Sequence, residues 1–243
     1  MSAIKDPARR TRPGRFTGAS TIWLFLAAAL FLASATLRLL AAFQRRAAFS
    51  SLEPSGIALG EGPVPASFDP TASLEAAARL QAAGIWALAL GVAAMAIGVL
   101  AVHGPGILRK VIEMLLALLV AVSLAFQAMN VLTPGTIASS EQMEYSLWLL
   151  RTQDLAVFAG LISLACLWGS RLRAAMTACL FLLGSTMLGE LLAGFLIAAV
   201  LGASATHDML LHSEAMIAGT VAAAGAALLF AARTTARRSG VFS

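Results

Sequence analysis

Glu190, His212 and Glu214 interrupt long apolar runs near the C-terminal end of a 243-residue chain. A charge at the centre of a bilayer costs about 2.5–3.5 kcal/mol even on the lenient insertion scale, so a carboxyl there is neutral or paired. Asp208 precedes His212 by four residues, a spacing that puts a carboxylate beside an imidazole on one helix face. Gln127 and Asn130 fall at matching depth in another apolar run. The expectation is a polar cluster of Glu190, His212, Glu214, Asp208, Gln127 and Asn130 in the outer half of a membrane. Such a group binds a proton, a cation or a polar solute. The plainer alternative is an interhelical hydrogen bond, with His212 and Glu214 reaching the headgroups.

These residues are placed by segments that composition assigns to lipid. Hydrophobic residues make up 59% of the chain and charged ones 12%, against about 25% charged in soluble domains. The mean hydropathy is +0.85. So little charge cannot coat a water-soluble globule of this size. The pI near 10.2 comes from a net charge of only +5, clustered at the ends of apolar runs, and not from a basic face interleaved with aromatics. No nucleic-acid partner is expected.

A span needs about 20 apolar residues and must satisfy its own backbone hydrogen bonds. Six stretches qualify, at about 18–40, 81–102, 111–132, 155–169, 174–201 and 209–232. The sequence therefore predicts an all-α, polytopic transmembrane bundle over 18–232. Basic tails at 1–17 and 233–243 flank it. Outer loops are expected at 44–80 and 133–153. Within the first, Asp69-Pro70 reads as a cap and first-turn pair that starts a helix entering the second span. Trp148 and Trp168 suit the two headgroup levels of the fourth span.

Orientation follows from lysine and arginine placement. With the N-terminus in the cytoplasm, that side receives Lys5, Arg9, Arg10, Arg12, Arg15, Arg109, Lys110, Arg171, Arg173, Arg233, Arg237 and Arg238, which is 12 of the 17 basic residues. Both termini are then cytoplasmic. Ala33-Ser34-Ala35 resembles a signal-peptidase site, but apolar sequence continues to Phe43, so the first span reads as an uncleaved anchor.

Small residues decide how helices meet in lipid. Gly84, Gly91 and Gly98 recur every seven positions; Ala215, Gly219, Ala223 and Ala227 recur every four, as do Ser185 and Gly189. They are expected to pack helices within the bundle or to seat another subunit. Glu113, one turn from Arg109, reads as half of an ion pair at the cytoplasmic water boundary. Glu113 and Glu214 open the third helix of each half, a weak hint of an inverted repeat.

The three histidines offer no bis-imidazole pair across two spans, and Cys166 and Cys179 sit in apolar segments without zinc spacing. No cofactor and no metal site is predicted. Hydrolase, zinc-protease and phosphate-loop signatures are absent, and Ser185 lacks the flanks of a nucleophile elbow. Two functions remain. One is a non-enzymatic accessory or scaffold subunit of a membrane complex, whose partners are the bilayer and other membrane subunits. The other is a small carrier using the Glu/His cluster. Alanine, arginine and glycine usage suggests a bacterial inner membrane.

Overall fold

The computed structural model describes residues 18–52, 70–101, 106–132, 140–169, 172–186, 188–189, 191 and 209–238. Among them are six helices and no strand: α1 (Gly18–Leu52), α2 (Pro70–Leu100), α3 (Ile107–Leu132), α4 (Ser140–Gly169), α5 (Arg173–Leu183) and α6 (Met209–Arg238). Five are long and apolar enough to cross a membrane, over Ala19–Ala48, Thr71–Leu100, Ile107–Leu132, Trp148–Gly169 and Glu214–Thr234.

Helix bounds differ from the expected loops at two places. α1 continues through Gln44, Arg45 and Arg46 to Leu52, because arginine, glutamine and alanine are good helix formers and no breaker intervenes. Its described residues end at Leu52. The stretch 44–80 is thus helical over 44–52 and again from Pro70, the start that Asp69-Pro70 signalled. Likewise α4 begins at Ser140, so most of 133–153 is helix.

The larger difference is in the fifth segment, expected as one helix over 174–201. α5 ends at Leu183 after 11 residues, roughly 16 Å of rise and about half of a hydrocarbon core. The N–H groups of Gly184, Ser185 and Thr186 donate to the carbonyls of Phe181, Leu182 and Leu183, a tightened three-residue pattern. The hydroxyls of Ser185 and Thr186 donate to the carbonyls of Leu182 and Leu183. This tightened turn, opening on Gly184, ends the regular helix. Ser185 and Gly189 therefore do not form a stripe on one continuous helix. Gly189 instead folds back on the Leu183 carbonyl and Gly184, where a Cβ has no room, and its N–H donates to the Thr186 hydroxyl.

Each helix packs on its chain neighbours, and α6 returns to α1. α2 is the innermost, with 61% of its span buried against 28–39% for the other four. It meets α1 antiparallel along the glycine stripe. A Cβ on Gly98 would touch Leu24, one on Gly91 would overlap the Phe31 ring, and one on Gly84 would press on the Arg38 stem. The stripe descends by sevens on α2 and its partners climb by sevens on α1. At one end the buried Ser20 hydroxyl donates to the Gly98 carbonyl over 2.8 Å.

One core joins the helices, with Leu24, Phe31, Leu88, Met95, Leu161 and Trp168 almost wholly buried. Trp168 fills this core and is not the headgroup anchor expected of it, while Trp148 is 69% exposed. The outer surface is apolar too: Leu115, Leu118, Leu119, Val122, Phe126 and Met129 all face outward along α3. A soluble monomer does not present such a continuous patch. The arrangement fits an integral membrane protein.

Candidate functional site

Of the six residues expected to cluster, Glu214, Gln127 and Asn130 have described side chains. Glu190, Asp208 and the side chain of His212 lie outside the described residues.

Glu214, in the first turns of α6, receives Arg45 of α1 in an ion pair of 2.7 Å. The same guanidinium donates to Gln81 Oε1 of α2. Three helices are tied by one arginine at the end of the bundle opposite Ser20. Both charged side chains are about one-third exposed, which places the pair at the rim of the apolar zone.

Gln127 points to another seam. Its Nε2 donates to Asp154 Oδ1 over 2.8 Å, joining α3 to α4. Asn130, three residues further along the same face of α3, is half-buried and also engaged. Among the described residues no hydrogen bond joins Glu214 to Gln127; each is held by a partner on a different helix pair.

At the opposite end of the α3–α4 seam, Arg109 Nε donates to Glu113 Oε1 at 3.0 Å, and Arg109 Nη2 donates to the Leu167 carbonyl. The pair one turn apart is as expected, but its setting is not. The Glu113 side chain is fully buried, whereas Arg109 keeps a third of its side chain exposed. The arginine reaches from water to a dry carboxylate and simultaneously satisfies a carbonyl in the last turn of α4. Between the two polar ends, Gly160 admits Val120, so α3 and α4 pack tightly there.

The small residues of α6 divide between two faces. Gly225 lies against the Ala28 carbonyl and Leu32 of α1, and Thr220 lies where Gly184 ends α5. Ala215 and Gly219 are exposed, Ala223 and Ala227 half-buried. A Cβ on Gly219 would meet nothing within 4 Å. The α2 stripe is an internal seam, and the α6 stripe looks outward at its Gly219 end.

Arg45, Gln81 and Asp154 were not singled out from sequence. A signal existed for the first: Leu24, Phe31, Arg38 and Arg45 follow one another by sevens, so both arginines continue the row that faces the glycines of α2. Asp154 carried no such signal, since its depth depends on α4 starting at Ser140.

No family model matches the chain, and no curated protein or solved structure shows significant similarity to it.

Proposed function

We propose that the chain is a non-enzymatic accessory or scaffold subunit of a membrane complex, with the outward face of α6 as its docking seam. The observation that carries this reading is the contrast between two small-residue stripes. Gly84, Gly91 and Gly98 are filled by α1, whereas Gly219 has open space beside it and Ala215, one turn earlier, is exposed. Helices approach closely in lipid where side chains are small, because packing replaces the hydrophobic drive. The wider reading has six crossings, counting the broken fifth segment, both termini in the cytoplasm and residence in a bacterial inner membrane. The supports for that topology are the arginine placement and the antiparallel packing of α6 on α1.

A photo-crosslinking residue at position 219, in membranes of the native cell, tests the docking seam. A discrete protein adduct, lost when Ala215 is replaced by Leu, is the expected result. Adducts to lipid alone contradict it.

A second reading has one specific observation behind it. The turn at 184–186 breaks a helix at about half the depth of the bilayer, a feature of carriers whose sites lie beside discontinuous helices. In this reading Glu190, His212, Glu214 and Asp208 bind a proton, cation or polar solute. Proteoliposome flux that Glu190→Gln leaves unaltered in rate and pH dependence contradicts it.

A further inference from the structure

Four carboxylates are described within the spans, and they are compensated differently: Glu75 pairs with Arg79 one turn on. Glu113 has Arg109 and Glu214 has Arg45. Asp154 has only the amide of Gln127, and no ion pair reaches it among the described residues. It lies six residues inside the span that opens at Trp148, roughly 9 Å along the helix. A tryptophan at the opening of a span suits the headgroup level, and Asp154 falls within the apolar stretch that follows Trp148.

Its polar contacts supply oxygen, and no cation among the described residues forms an ion pair with it. Gln153 opens the row that continues through Val157, Leu161, Leu164 and Trp168 into the core, and its Oε1 is buried without a hydrogen-bond partner among the described residues. Gln127 spends its amide N–H on Asp154, which leaves its own carbonyl oxygen nearby. Asn130 follows on the same face of α3. Charged groups on the packed elements are distant: Arg109, Lys110 and Glu113 lie at the other end of α3, and Arg173 at the start of α5. Arg151, one turn earlier on α4, is exposed.

We propose that Asp154, Gln127 and Gln153 form a binding site for one small monovalent cation, a proton or an alkali metal ion, at the α3–α4 seam. A single carboxylate neutralises one positive charge. Carboxylate and amide oxygens are the donors that hard cations take, and an intramembrane carboxylate without a fixed counter-charge needs a mobile one. The site stands apart from the docking seam on α6 and does not depend on it.

The test is thermal unfolding of the full chain in detergent, followed by tryptophan fluorescence. Melting is measured in sodium, potassium or lithium chloride against choline chloride at equal ionic strength, and across pH in choline. A cation bound only by the folded state raises the melting temperature. A rise with one alkali ion that Asp154→Asn abolishes identifies a metal-ion site. A rise on lowering pH, without an alkali effect and abolished by the same substitution, identifies a proton site. Gln153→Leu provides the second variant, expected to raise the half-saturating concentration of alkali ion or proton about tenfold. Responses that neither substitution changes, or no response at all in the wild-type chain, overturn the proposal.

Discussion

Gly91 and Gly219 are both glycines within helices, and the fold uses them in opposite ways. A Cβ at position 91 would overlap a ring carbon of Phe31, which is itself fully buried. Gly91→Ala is expected to destabilise the bundle by about 1–3 kcal/mol, the usual range for overpacking, with partial recovery in the Phe31→Leu background. Gly219→Ala should be neutral or stabilising by up to about 1 kcal/mol, since alanine is the better helix former and nothing lies within reach. Denaturant titration in mixed micelles measures both. The seven-residue spacing of Gly84, Gly91 and Gly98 was readable as a seam in the sequence. Which stripe faced inward was not, because spacing on one helix carries no information about where its neighbour sits.

Buried polar contacts couple the elements. Arg109 joins a dry carboxylate on its own helix to the last turn of α4, and that link holds the start of α3 to the end of α4. Removing the arginine takes a charge partner from a buried carboxylate, so Arg109→Leu should cost roughly 3 kcal/mol. Replacing both Arg109 and Glu113 by Leu should recover most of that loss, because no stranded charge remains. A double-mutant cycle on unfolding free energies measures the coupling; additive losses contradict it. The i,i+4 spacing announced the pair, while its burial came from α4 closing over Glu113, a tertiary event outside the reach of local pattern. The break after Leu183 was similarly hidden. Residues 174–201 read as one apolar run, and hydropathy is indifferent to the hydroxyls of Ser185 and Thr186 that capture the carbonyls of Leu182 and Leu183.

For the molecule as a whole, composition was sufficient to place most of the chain in hydrocarbon, and five apolar helices agree with it. Charged residues were the poorer guide to boundaries. Gln44, Arg45 and Arg46 read as the start of a loop, yet α1 carries them on, and Arg45 ties α1 to α2 and α6. The expected Glu/His cluster was legible only as a set of residues at similar depth. Depth is a coordinate along one axis, and it does not say which helices are neighbours: of the members with described side chains, Gln127 pairs with Asp154 and Glu214 with Arg45, while Glu190, Asp208 and the His212 side chain lie outside the described residues. The central claim is that lipid covers the apolar exterior. Spin labels at Leu118, Leu119 and Phe230, all outward-facing, test it in reconstituted bilayers by comparing relaxation by oxygen with relaxation by a water-soluble nickel chelate. Oxygen dominating at all three positions is the expected result; nickel access equal to that of a label on the basic N-terminal tail would contradict it.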